Sequence, residues 1–367
     1  MKRTPEVVIL VGTTKGLFVF RSPANRQRWT ISGPFCRGHA VYAAAADTRG
    51  GQNRIWAATE SAHFGTVLQW SDDWGESWVV PEAANIRFPQ ESGLALKQVW
   101  QISPGLPDEP NVLHCGVEPA ALFESRDAGA TWAPVRGLLE HPDRSKWMPG
   151  GGGLCLHTIV RDPSDHRRLL VAISTAGVYR TDDGGRSWTP RNKGVRAVFL
   201  PDHYPVFGQC VHKVVNHPTR PSRLFLQNHW GLYRSDDWGD SWTDIANGVP
   251  SDFGFAMSIH PHDPDTVFIV PIESDAFRCV PEAKLRVYRT RNAGRSWEPL
   301  TRGLPQRAAF ETVLRDGMST DTLQPAGVYF GTRSGKLYGS RTSGDTWSLL
   351  AGGLPPIVCV KSATIGA

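Results

Sequence analysis

Three histidines, His157, His212 and His229, are the residues through which this chain could hold a metal. Neutral imidazoles around a divalent ion, with one position left to water, polarise a bond or generate a nucleophile at neutral pH. Glu118, Glu273 and Glu311 are carboxylates that could act as general acid and base around a glycosidic or lactone bond. Gln98, Asn228, Tyr42 and Arg333 supply hydrogen-bonding groups suited to holding a substrate. No short ligand spacing joins the histidines, so both chemistries depend on a fold that gathers distant residues. The alternative is a wet polar funnel in which the imidazoles bind water or one another and the carboxylates are solvated.

A repeat is what would gather them. The pattern Ser/Thr-x-Asp-x-Gly-x-Ser/Thr-Trp ends at Trp78, Trp132, Trp188 and Trp242, and it recurs with Asn292 and Thr342 in the Asp place before Trp297 and Trp347. A decayed copy keeps only its end residues, Ser22 and Trp29. Successive tryptophans stand 49 to 56 residues apart, the period of one supersecondary unit. Each box follows an alternating strand such as 177–180 or 231–234. Before that come a second strand (169–173, 224–226) and a first strand ending at an Asp- or Pro-containing turn (157–162, 212–217). A further strand starting at the box Trp completes a four-stranded blade.

The expected fold is therefore all-β, a single seven-bladed β-propeller domain over residues 1–367. Its amino-terminal copy lacks an innermost strand, because the chain enters directly at the apolar run 7–11. Residues 357–361 follow the last outer strand without a blade of their own, and they should pair beside that run and close the ring. Within a box, Gly supplies the turn conformation while Asp and Ser/Thr hydrogen-bond turn amides, so the boxes read as structural.

The boxes are those of the Asp-box, or BNR, repeat. Over nearly its whole length the chain resembles the BNR-like propellers of sialidases, sortilin-type receptors, xyloglucanases and photosystem assembly factors. Similar sialidases have six blades and an Arg-Ile-Pro motif; here Arg54-Ile55-Trp56 lacks the proline, and sialidase activity is not expected. Xyloglucanases carry two such propellers facing a cleft, where this chain has one. Sortilin-type receptors and photosystem assembly factors are secreted or lumenal, and no export signal is visible here.

The propeller sorts residues by face. First strands aligned on their terminal Asp or Pro place Tyr42, Gln98, His157, His212, Phe255 and Glu311 at one position. Second strands end at Glu60, Glu118, His229, Glu273 and Arg333 on the same mouth, while His217, His260 and His262 fall in turns at the other end and read as structural. Loops 133–156, 189–211 and 274–284 are long, and the glycine run 150–153 could let backbone approach a ligand.

Composition limits the partners. Forty Lys and Arg against 35 Asp and Glu leave a charge of +5 without clusters, which gives neither a nucleic-acid tract nor a membrane-binding helix. The six cysteines lack a CxxC pair and read as reduced thiols. The run after Met1, Lys2 and Arg3 is too short for a signal peptide, so a cytoplasmic protein is expected. Two functions stay open. One is a metal-assisted hydrolase or lyase acting on a small molecule or glycan at the funnel mouth. The other is a noncatalytic propeller that binds a protein or glycan.

Overall fold

The computed structural model describes residues 4–61, 65–81 and 85–366, so Met1, Lys2 and Arg3 lie outside it. Seven antiparallel sheets follow one another along the chain, the strand content and connectivity of a seven-bladed β-propeller. Contacts group them into two compact units, residues 47–244 and residues 1–46 with 245–367. Among the described residues no helix is long and apolar enough to cross a membrane.

The 47–244 unit holds three complete sheets. The third sheet comprises Gln98–Pro104, Leu113–Glu118, Ala121–Ser125 and Ala133–Pro134, and the fourth Leu156–Arg161, Leu169–Ile173, Gly177–Thr181 and Thr189–Pro190. Val211–His217, Arg220–Asn228, Leu232–Ser235 and Thr243–Asp244 form the fifth. Every residue of Leu169–Ile173 is buried, as expected of a strand covered on both faces. The second sheet, Ala40–Asp47, Arg54–Ser61 and Gly65–Ser71, departs from the four-stranded expectation. Its outer strand is reduced, among the described residues, to a bridge between Trp70 and Val79.

The other unit contains the sixth sheet (Gly254–Ile259, Val267–Pro271, Val287–Thr290, Glu298–Leu300) and the seventh (Met318–Thr320, Val328–Gly331, Leu337–Ser340, Ser348–Ala351). It also contains the first sheet, Glu6–Thr13, Gly16–Pro23 and Thr30–Phe35, which Ile357–Ile365 completes. That last strand runs antiparallel to Glu6–Thr13, from Glu6 opposite Ile365 to Thr13 opposite Ile357, and it buries Ile357, Val358, Cys359 and Val360. It supplies the strand that the amino-terminal copy lacks.

The boxes lock turns. Asp183 accepts from the Ser187 amide at 3.0 Å and the Ser187 hydroxyl at 2.6 Å, while Thr181 Oγ1 accepts from the Gly185 amide at 2.9 Å. Asn292 accepts from the Ser296 amide at the same 3.0 Å, and Thr342 Oγ1 does so from Thr346. Amide and hydroxyl thus replace the carboxylate without loss of geometry, so its charge is not what the turn requires. In the decayed first copy, Arg26 sits at φ 54° and donates instead to the buried Asp321 at 3.2 Å and to the Pro325 carbonyl at 2.9 Å.

Candidate functional site

A repeated backbone irregularity builds the site. In the third sheet Val99 faces Val117 and Gln101 faces Gly116, so two steps on one strand match one on the other and Trp100 is the extra residue. The same bulge makes His157 the extra residue of the fourth sheet and His212 that of the fifth. A β-bulge swings its side chain out of the ladder and re-aims it, here at the end where first strands begin and second strands finish.

Each bulge has two companions. The residue two before it faces the residue at the end of the second strand or just past it, as shown by the amide of Ser174 on the Cys155 carbonyl and that of His229 on the Cys210 carbonyl, both 2.9 Å. The unit therefore repeats a triad: Gln98, Trp100 and Glu118; Cys155, His157 and Ser174; Cys210, His212 and His229. This register corrects the sequence alignment, since Trp100 and not Gln98 is the equivalent of His157 and His212. Gln98 matches Cys155 and Cys210. Its side-chain amide nitrogen, Nε2, is buried without a hydrogen-bond partner among the described residues.

In the third sheet the triad is a held carboxylate. Trp100 Nε1 donates to Glu118 Oε2 at 3.2 Å, and Lys97 Nζ lies 3.7 Å from Oε1. A Cβ on Gly153 would fall 2.5 Å from Glu118 Oε1, and its φ of 85° favours glycine, so the backbone passes close beside the carboxylate. The glycine run thus packs on Glu118 through Gly153, while Gly151 and Gly152 face open space.

In the fifth sheet the triad is a ligand cluster. One donor atom each from Cys210, His212 and His229 lies within 4.8 Å of the others. His157 does not join them, which corrects the three-histidine metal set. It is fully buried, with Nδ1 2.9 Å from Thr158 Oγ1 and Nε2 2.9 Å from the Val211 carbonyl, so its ring ties two strands together. Asn228 is likewise unsuited to substrate, being fully buried with Nδ2 donating to the Arg196 carbonyl at 2.7 Å.

The remaining candidates lie in the other unit or at its boundary. Tyr42 is half-buried in Ala40–Asp47. In the sixth sheet the triad is apolar, Phe253, Phe255 and Ile272, all buried; Glu273 is the exposed residue one step beyond it. Glu311 lies outside the first strand of the seventh sheet, which is Met318–Thr320 and not a strand ending at Asp316. It is buried and accepts from Lys336 Nζ at 2.7 Å and Ser334 Oγ at 2.6 Å. Burial pushes its pKa up, but those bonds and one from Thr332 outweigh it and hold the carboxyl below its ordinary value. The position equivalent to His157, five residues before the strand-ending Asp, belongs to Asp316, which accepts from Lys361 Nζ at 2.8 Å. Arg333 is exposed, and its amide donates to the Thr312 carbonyl at 2.9 Å.

Comparison with known proteins adds fold more than chemistry. No family model matches the chain. A probable oligoxyloglucan-reducing end-specific xyloglucanase from Neosartorya fischeri is 23% identical over 232 residues, 53% of this chain and 26% of the relative. The crystal structure of the GH74 xyloglucanase from Xanthomonas campestris superposes with a TM-score of 0.61 at 17% identity, over 97% of this chain and 52% of that one. YCF48 bound to D1 peptide gives a TM-score of 0.54 at 11% identity, over 91% and 96%. The chain thus spans about a quarter of the curated relative and about half of the xyloglucanase structure. The propeller fold is common to all of these likenesses.

Proposed function

We propose that the chain is a glycan-acting hydrolase of the Asp-box class, with its substrate meeting the 47–244 unit at Glu118. The observation that carries this reading is the indole of Trp100 bonded to the Glu118 carboxylate on a partly exposed rim. An aromatic face suits the apolar face of a sugar ring, and a carboxylate fixed beside it can take or give the proton of a glycosidic oxygen. Hydrolysis of this kind uses two carboxylates. Glu60, exposed near the end of Arg54–Ser61 in the same unit, is the proposed partner. The likeness to xyloglucanases supports the substrate class.

The test is release of reducing ends from xyloglucan oligosaccharides and other β-glucans by the full chain. Glu118→Gln should lower the rate at least about 100-fold, the usual worth of a general acid or base, with stability changed by less than about 0.5 kcal/mol. Tight binding without turnover would convert the reading to a noncatalytic glycan binder. Neither binding nor turnover would end it.

A second reading has its own support. Val198, Phe199, Tyr204 and Val206 expose apolar surface on the 189–211 loop, and Phe199 packs 5.0 Å from Trp230. Surface of this kind suits a protein ligand, and YCF48 with its D1 peptide shares the fold. Peptide capture that is lost on Phe199→Ser would favour it.

A further inference from the structure

We infer that Cys210, His212 and His229 form a binding site for a borderline-soft divalent metal ion, zinc by chemical class, with one thiolate and two imidazoles as ligands and a fourth position open to an exogenous ligand. The inference is independent of what Glu118 does.

The donor atoms already stand near the spacing such an ion requires. A tetrahedral zinc with its usual bond lengths puts a sulfur and a nitrogen ligand roughly 3.5 Å apart. Cys210 Sγ and His212 Nε2 are 3.7 Å apart, and the His229 donor falls inside the 4.8 Å group. The His212 and His229 rings meet edge to face with centroids 5.5 Å apart, so the two imidazoles are close without stacking on each other.

The backbone beneath the three residues is fixed from two sides. The His229 amide donates to the Cys210 carbonyl at 2.9 Å, which locks the two strand ends to each other. The Val211 carbonyl, between Cys210 and His212, is held at 2.9 Å by His157 Nε2 from the neighbouring sheet. The bulge then leaves Cys210 and His212, two residues apart, on the same side of the strand. His157 is thus a positioning residue for the ligands. Trp230, 4.3 Å from the His229 ring, adds an apolar wall of the kind that lowers the dielectric around a bound ion.

The donor set selects the metal. Thiolate with imidazole favours zinc and its neighbours over calcium or magnesium, which take oxygen. Three protein ligands are the number found where zinc keeps a position for water or substrate. Binding requires the Cys210 thiol to give up its proton to solvent, so affinity should rise with pH.

Cobalt(II) is the probe. Full-length protein, purified without a histidine tag and stripped with a chelator, is titrated with Co2+. One equivalent should bind with tetrahedral visible bands and a thiolate-to-cobalt charge-transfer band in the near ultraviolet, and zinc should displace it. Cys210→Ser should abolish the charge-transfer band, and His212→Ala or His229→Ala should weaken binding at least about 100-fold. Cys279→Ser, in the other unit, should leave the spectrum unchanged. Far-ultraviolet circular dichroism of each variant separates lost ligands from lost fold. A charge-transfer band that survives Cys210→Ser, or none at millimolar cobalt with wild-type protein, overturns the site.

Discussion

The sheets beginning at Val211 and at Gly254 place an irregular first strand against the end of the second, yet they carry opposite chemistry there. In one the three positions are Cys210, His212 and His229; in the other they are Phe253, Phe255 and Ile272. The backbone device is common, and only the side chains differ. The bulge therefore presents residues without dictating what they do. The sixth sheet fills this address with Phe and Ile, the fourth uses a polar residue there to tie two strands together through His157, and the fifth gathers three donor groups. The boxes at the opposite ends of the strands teach the converse, since their carboxylates repeat because the turn repeats.

Removal of residues after 355 should have the largest effect on this pattern. The first sheet has the same geometry, with the Thr14 amide on the Pro356 carbonyl at 3.1 Å and a register shift at Val358, and truncation deletes both of those positions together with the whole closing strand. The truncated chain is expected not to fold, measured by loss of a cooperative urea transition and of protease resistance; a retained transition would mean that the strand is dispensable. Next comes Ile272→Asp. A buried charge without a partner should destabilise by about 3 to 5 kcal/mol in urea titration, whereas His229, at the matching polar position, should tolerate Asp with less than half that loss. Should both cost the same, the two triads are equally structural.

His157→Ala tests the boundary between the classes. It empties a buried site and leaves the Val211 carbonyl unpaired, for an expected loss of about 2 to 3 kcal/mol. The smallest effect belongs to the boxes. Asp183→Ala should cost about 1 kcal/mol, while Asp183→Asn, which copies Asn292, should cost less than about 0.5 kcal/mol at neutral pH. Hydrogen bonds from the Ser187 hydroxyl and amide lower the Asp183 pKa from 3.8 to about 2. A folded pKa below the unfolded one adds stability that is present above about pH 4 and lost as pH falls through about 2. The Asn variant should therefore close the gap with wild type as pH falls through that window, read from thermal midpoints across the acid range.

Most of the fold was legible because the box is a local signal. Gly, Asp and Ser at fixed offsets report a turn directly, and counting turns counts sheets. The triads were legible only in part, because a bulge inserts a residue without leaving a composition mark. Aligning strand ends by Asp or Pro found His157 and His212 but placed Gln98 two residues from its true equivalent. In the sixth sheet a one-residue offset put Glu273 where Ile272 belongs. Glu311 stands five residues before its true equivalent, Asp316, because the Asp that follows the strand is Asp321, its amide donating to the Gly327 carbonyl. Cys210 was missed altogether. A single cysteine with no second one nearby carries no ligand signal until the His229 strand is folded against it.

The strand Ile357–Ile365 also constrains how the protein is made. During vectorial synthesis on the ribosome Glu6–Thr13 is made well before its antiparallel partner, with the strands of the six other sheets translated between the two. Throughout that interval the nascent first sheet exposes an unpaired, strongly apolar edge, the kind of surface that chaperones hold and that neighbouring polysomal chains can capture. The rate at which the ribosome reaches Ile357–Ile365 should therefore bear on yield more than the rate at which any single sheet forms.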